Sequence, residues 1–325
     1  MDSSRKFLNK FKKHFKKIDE ELSRSFKSRV HMIEDIGRHS LLGEGKRLRP
    51  LLFVLSSRLC GYRGEDIYSL STIFEYVHSA SLLHDDVIDN AEMRRNKPSA
   101  SNIWGNSAAV LTGDYLSSKA ATIAISTNNI EFFKMMINAG VRMSEGQFLE
   151  LVHTGNWNTS EEEYMEIIIS KTAELMAAAC ACGAIIAGAG NEETENLRKF
   201  GLNLGITFQL VDDLLDYTLS EEEFGKPVGK DLREGKVTLP LIYTLSGMEE
   251  DDLRRFEQIF QDNRADEGEY EDLITLIRNS GNIEKVRSEA RDYVDRAYGF
   301  LNKFPESSYK EDLIALNRYI AERNF

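Results

Sequence analysis

LRKFGLNLGITFQLVDDLLD, residues 197–216, sets Leu197, Phe200, Leu204, Phe208, Val211 and Leu215 at successive intervals of 3, 4, 4, 3 and 4. Those intervals trace one face of an α-helix. The face runs unbroken into an acidic word, Asp212-Asp213-Leu214-Leu215-Asp216, and Gly201 and Gly205 leave room for a neighbouring helix to approach closely. A second word of the same kind, Asp85-Asp86-Val87-Ile88-Asp89, lies 127 positions earlier in another apolar stretch. Two like charges about 4 Å apart repel by roughly 4 kcal/mol at an effective dielectric of about 20, and packing a helix away from water also strips their hydration. A chain that does this twice points to bound cations.

Outward from these two stretches, residues 30–245 read as long apolar helical segments separated by polar turns such as Asn96-Lys97-Pro98 and Gly155-Asn156-Trp157-Asn158. Alternating, strand-like segments are scarce. The expected fold class is all-α, and with no convincing domain boundary residues 1–325 read as one domain. The most apolar uncharged run, Leu175 to Gly190, is sixteen residues long. A membrane span needs about 20, so the run is expected to be a closely packed interior helix. Residues 248–268 are strongly charged and expected to be solvated, and helical patterns resume at 283–300 and 310–324.

Near the start, Phe7, Phe11, Phe15, Ile18, Leu22 and Phe26 recur at helical spacing with Lys10, Lys12, Lys13, Lys16 and Lys17 between them. The favoured reading is a first helix packed on the body of the protein. The other is a peripheral membrane contact, of use in product release.

The 325 residues carry a net charge of −12, which argues against nucleic acid as a partner. The three cysteines, Cys60, Cys180 and Cys182, match neither a disulfide framework nor the usual zinc spacing. With charged residues rather than an apolar run at the beginning, the expected location is the cytoplasm.

On a helix, Asp85 and Asp89 are four apart and Asp86 and Asp89 three apart, so their carboxylates share one face, and Asp212, Asp213 and Asp216 repeat the geometry. Magnesium is the expected ion: it is held by one or two carboxylates plus waters and substrate phosphates, and no looped calcium cage is present. Magnesium implies phosphate, and phosphate needs cations. They are found in GKRLRP at 45–50, in Arg94-Arg95 just after the first acidic word, and in the glycine-containing segment from Phe224 through Lys226, Lys230 and Lys236 after the second.

With those words in hand, the chain resembles the trans-prenyltransferases, the all-helical isoprenyl diphosphate synthases. GKRLRP at 45–50, HSASLLHDDVID at 78–89, RRNKPS at 94–99, Gly113-Asp114-Tyr115, Lys171-Thr172, Phe208-Gln209 with DDLLD, and the loop lysines follow in that family's order over nearly the whole chain. The resemblance implies the isoprenoid synthase fold, a single large helical bundle around a central substrate cavity, and the condensation of isopentenyl diphosphate with an allylic diphosphate. It implies Asp85, Asp89 and Asp212 as principal magnesium ligands. Asp86, Asp213 and Asp216 support them, and Lys171 completes the catalytic set. It also implies Lys46, Arg49, His78 and Arg95 around isopentenyl diphosphate, with Arg94, Lys171, Thr172, Gln209, Lys226 and Lys236 around the allylic diphosphate, and a homodimer. His84 reads as structural.

If the allylic tail descends along the first acidic helix, each turn of about 5.4 Å lines roughly one isoprene unit. Ala80 and Ser81 are small there, where farnesyl-forming members of the family often carry an aromatic residue. Val77 and Tyr76, then Phe74 and Ile73, come next, with Met135 or Met136 as stops from another helix. The expected product is hexaprenyl to decaprenyl diphosphate, with geranylgeranyl or farnesyl diphosphate as alternatives, and Ala80→Phe is expected to shorten it. A class I terpene cyclase fits less well, because DDLLD and GKRLRP favour a second substrate. A non-catalytic regulatory subunit fits less well because no motif residue is missing.

Overall fold

The computed structural model describes residues 7, 9–42, 45–95, 97–218, 228–260 and 265–322. The described residues form sixteen α-helices, with one two-stranded hairpin between Met93–Arg94 and Lys97–Pro98. In chain order the helices that shape the site are α1 (Lys12–Ser25), α2 (His31–Leu41), α3 (Leu48–Leu59), α4 (Ile67–Ile88), α5 (Ala100–Trp104), α6 (Asn106–Ser126), α7 (Ile130–His153), α8 (Glu161–Ile168), α9 (Glu174–Ile186) and α10 (Asn191–Thr218). After them come α11 (Lys230–Arg233), α12 (Leu239–Ser246), α13 (Glu250–Phe260), α14 (Glu267–Asn279), α15 (Asn282–Leu301) and α16 (Ser308–Ala321).

The period that opens the sequence reading is α10, and its two glycines do what their spacing suggested. A Cβ at Gly201 would lie 2.6 Å from the Met176 carbonyl, and one at Gly205 would lie 2.5 Å from the Ala173 Cα. The helices α9 and α10 therefore meet backbone to backbone. The stretch Glu161–Ile186 is long and apolar enough to cross a membrane, but 83% of its apolar window is buried inside the protein. It is the interior helix that composition indicated, interrupted by a π-helical turn at Ile169–Ala173.

Buried side chains fall into two clusters. One joins α1–α7, α9, α16 and the end of α15, and the other joins α8 with α11–α14 and the start of α15. Helix α10 belongs to both: Leu197, Phe200 and Leu204 enter the first, and Ile206, Leu210 and Leu214 the second. This shared strut carries the second acidic word.

The N-terminal helix packs, as favoured. Ile18 and Leu22 are fully buried, while Lys12, Lys13 and Lys16 stay exposed. The charged stretch near 250 is a correction: it is not merely solvated. Within it α13 buries Phe256 and Phe260, whose rings stack at 4.4 Å and meet Trp157 edge-on at 5.5 and 5.3 Å. Charge dominated the composition, but apolar residues four apart still form one burying stripe.

Candidate active site

Both acidic words stand at the C-terminal ends of long helices, where the backbone dipole is negative and no basic residue sits in the last turn. Each helix thus adds its own negative end to a set of carboxylates. Asp85 is 8% exposed and Asp86 3%. Burial first, then the charges of Glu150 and Asp89, push the Asp85 carboxyl up to about 6, against the pull of Lys171 and Arg94. Asp89 caps α4, its amide N–H donating to the Asp85 carbonyl at 2.8 Å, and its side chain is exposed. Asp86 turns aside to accept from Arg94 Nε at 2.7 Å and Nη2 at 2.6 Å.

In the second word, Asp212 alone is exposed. Asp213 is buried with both oxygens used: Gln209 Nε2 donates to Oδ1 at 2.7 Å, and the Tyr164 hydroxyl donates to Oδ2 at 2.5 Å. Asp216 accepts from the backbone N–H groups of Lys230 at 3.0 Å and Asp231 at 2.8 Å, which anchors the start of α11. Burial, then the Asp231 charge, raises the Asp216 carboxyl to about 7. Asp212 is exposed into a cavity of about 260 Å³ that Asp213, Asp216, Asp231, Glu150, Arg94, Lys171, Thr172, Gln209, Lys230 and Lys236 also line. Asp85 feels Lys171 and Glu150, both of which line this cavity, so the two helix ends converge on one place.

The cations expected around an allylic diphosphate are here. Lys171 lies in the π-helical turn, pairs with Glu150, and is kept close to α7 by Gly146, where a Cβ would be 2.6 Å from the Lys171 nitrogen. An extra residue in a helical turn redirects side chains, and such turns collect at functional sites. Thr172 donates to Gln209 Oε1 at 2.9 Å. Lys236 pairs with Glu234 at 2.9 Å, its ammonium strengthened by Asp231 and Glu150. Lys226 lies outside the described residues.

The residues expected around isopentenyl diphosphate form a separate cationic group. Arg49, Arg95, Arg94 and Arg47 all act on His78, and burial with those charges holds its imidazole well below the usual range, neutral at pH 7. Arg49 is pushed down to about 10 by burial, and its buried Nε has no hydrogen-bond partner. Lys46 is exposed. Beside this group a cavity of about 310 Å³ is lined by His39, Ser79, Leu82, Asp86, Arg94, Arg95 and Lys97, so Arg94 borders both cavities, whereas Lys46, Arg49 and His78 do not line this one.

Along α4 below Asp85, Ser81 and Val77 are half-buried and Ala80 is 2% exposed. Tyr76 is a correction to the expected tail lining. Its hydroxyl pairs with Ser25 Oγ at 2.5 Å and its ring faces Phe26. Nine residues is two and a half turns, which puts it on the opposite side of α4 from Asp85. His84 packs its ring against Gly113, with Nε2 3.2 Å from the Val110 carbonyl and 3.4 Å from Asp114 Oδ1.

Sequence reasoning missed Tyr164, Glu150 and Asp231. Glu150 and Tyr164 lie far from either acidic word in sequence, and Asp231 read only as part of a basic loop. Tyr164→Phe is expected to leave Asp213 Oδ2 unsatisfied at a cost of about 1–3 kcal/mol, and to lower turnover about tenfold. A magnesium titration of activity checks it, with half-saturation moving to higher concentration.

Among the described residues no three acidic, histidine or cysteine side chains enclose an ion by themselves. Sparse carboxylates of this kind, at a cavity lined by Asp212 and close to the first acidic word, fit a divalent ion that completes its shell with phosphate and water.

The chain matches the Polyprenyl synthetase family over residues 30–277. It is 35% identical over 297 residues to the octaprenyl diphosphate synthase of Escherichia coli strain K12, covering 91% of this chain and 92% of that protein. Among solved structures, a decaprenyl diphosphate synthase from Rhodobacter capsulatus superposes with a TM-score of 0.92 at 33% identity, covering 98% of this chain and 99% of that one. A polyprenyl synthase from Caulobacter crescentus CB15, complexed with calcium and isoprenyl diphosphate, also has a TM-score of 0.92, at 35% identity and with 99% and 98% covered.

Proposed function

The chain belongs to the polyprenyl synthetase family, and on that premise we propose that it joins isopentenyl diphosphate head-to-tail to an allylic diphosphate, yielding a trans-polyprenyl diphosphate of hexaprenyl to decaprenyl length. One observation carries this reading. The second acidic helix end lines one cavity with Lys171, Lys236 and Arg94, the first stands against it through Arg94 and the charges of Lys171 and Glu150 on Asp85, and a second cationic group, with a buried Arg49 Nε lacking a hydrogen-bond partner, stands beside them. Such a pair of sites suits two diphosphates, and a cyclase of one substrate needs only the first.

Asp85, Asp89 and Asp212 would hold magnesium, with Asp86, Asp213 and Asp216 orienting the helix ends. When bound, magnesium neutralises charge on the diphosphate oxygens and favours its departure. Lys171, Lys236 and Arg94 take up the same developing negative charge from the protein side. The allylic carbon–oxygen bond breaks, the alkene of isopentenyl diphosphate supplies the electron pair for the new carbon–carbon bond, and the departing diphosphate accepts the proton released. Neutral His78 lies among arginines that hold the second diphosphate and leaves the chemistry to the substrates. Incubating the enzyme with isopentenyl and farnesyl diphosphates and sizing the dephosphorylated products tests the proposal. A farnesyl-only product would refute the length, and a cyclic hydrocarbon from farnesyl diphosphate alone would refute the reaction.

The enzyme acts as a homodimer in this reading. Helices α6 and α7 present a run of exposed apolar side chains, including Leu111 at 64%, Phe148 at 70% and Val152 at 69% exposure. A patch of that kind needs a cover. Phe148→Glu with Val152→Glu is expected to give a monomer by light scattering, with the unaltered enzyme at twice that mass. The three unpaired cysteines suit a reducing cytoplasm.

A further inference from the structure

Arg47 has no place in the assignments above, yet it is built into the molecule with unusual thoroughness. It stands at the head of α3 with φ 48° and ψ 32°, a left-handed conformation uncommon for a residue that carries a side chain. Its side chain is 4% exposed. Nε donates to Asp19 Oδ1 on α1 at 2.9 Å, Nη1 donates to Glu75 Oε1 on α4 at 2.5 Å, and Nη2 donates to the carbonyl of Leu41, the last residue of α2. One planar group thus ties three helices to the start of a fourth. An ammonium could not meet three acceptors on three elements from one plane.

Glu75 is itself 3% exposed, and its charge acts on Arg49 and Arg95 as well. Gly45 closes over the group: a Cβ there would lie 2.7 Å from Arg47 Nη1 and 3.2 Å from Arg95 Nη1. Lys46 precedes the left-handed residue and Arg49 follows it by two, so the direction of both depends on that turn. His78 lies one helical turn beyond Glu75 on α4. The buried pair therefore sits between the backbone that presents Lys46 and Arg49 and the helix that presents His78.

We propose that Arg47 and Glu75 are positioning residues for the second substrate: their buried ion pair locks the left-handed turn at the head of α3, and so sets Lys46 and Arg49 against Arg95 and His78 as one diphosphate receptor without touching the diphosphate. The inference rests on reading that cationic group as the isopentenyl diphosphate site. Geometry rather than charge is the quantity the pair supplies, because a displacement of about 1 Å in a receptor group can cost up to about a hundredfold.

The test is steady-state kinetics on the full-length enzyme, varying isopentenyl diphosphate and the allylic diphosphate in turn. Arg47→Gln alone would strand a buried carboxylate, so it is combined with Glu75→Gln to remove both charges together. The double variant is expected to raise KM for isopentenyl diphosphate about tenfold, with KM for the allylic diphosphate and kcat changed by less than about threefold. Arg47→Lys, which keeps the charge and loses the fork, is expected to shift the same constant in the same direction. Asp19→Asn alters a half-exposed partner that the fold tolerates, and is expected to raise it about threefold. If the double variant does not fold, the latter two decide. An unchanged isopentenyl KM in the folded variants, or an equal rise in both KM values, overturns the proposal. Arg49→Ala separates the premise: if it too leaves the isopentenyl KM unchanged, the substrate assignment of the site falls instead.

Discussion

Asp85→Ala is expected to lower turnover by about 10³-fold or more, since it removes a carboxylate that would hold the ion on which diphosphate departure depends. The loss should come without damage to the fold. In the folded protein the Asp85 carboxyl is raised to about 6 from its ordinary value near 3.8, chiefly by burial. A group raised in this way binds its proton more tightly when folded, so its stabilising contribution is complete below about pH 4 and is lost as the pH rises through about 6. At pH 7.5 that protonation-linked contribution is absent, so alanine has none of it to take away. Thermal unfolding in a chelator should show the variant at least as stable as the parent at pH 7.5, with the parent gaining more on acidification to pH 5. Retained turnover in Asp85→Ala would favour a purely structural role for the acidic words.

Ser81→Phe is expected to cut the product to geranylgeranyl diphosphate or shorter. Ser81 is four residues before Asp85, about 6 Å down α4 on nearly the same face, so a benzyl group there stands across the descending tail. Ala80 is turned farther round the helix and is 2% exposed, so its enlargement presses on the packed core as well as on the tail. It should shorten the product less cleanly and lower stability. Three turns below Asp85, Phe74 packs against Phe53 at 5.3 Å, and Phe53 meets Phe132 edge-on at 6.1 Å. All three are fully buried. A chain of six to ten units must pass beside this aromatic group, so Phe74→Ala should widen the path and move the distribution to longer chains. Sizing the dephosphorylated products of the three variants checks the series. An unchanged distribution in Ser81→Phe would mean that the tail takes another course.

Much of the site was legible because its parts are local in sequence. Asp85 with Asp89, and Asp212 with Asp213 and Asp216, are brought together by one helix each. The lysines and arginines near them needed only that phosphate accompanies metal. What was not legible depends on contacts between distant segments. Asp213 is held by Tyr164, 49 positions away, and is buried where Asp212 is exposed. Asp86 is drawn off by Arg94. Tyr76 read as tail lining because it is close in number, whereas helical phase turns it to Ser25. The burial of Phe256 and Phe260 depends on Trp157, nearly a hundred residues earlier.

By itself the sequence determined the helical class, the two acidic helix ends and the family to which they point, because the period of apolar residues and the spacing of like charges act over one or two turns. Only the tertiary structure decided which aspartates are buried behind hydrogen bonds, which side of α4 Tyr76 faces, and how Arg47 gathers four helices behind the second cationic group. Those outcomes rest on hydrogen bonds and packing between segments far apart in the chain, whose meeting no local pattern encodes.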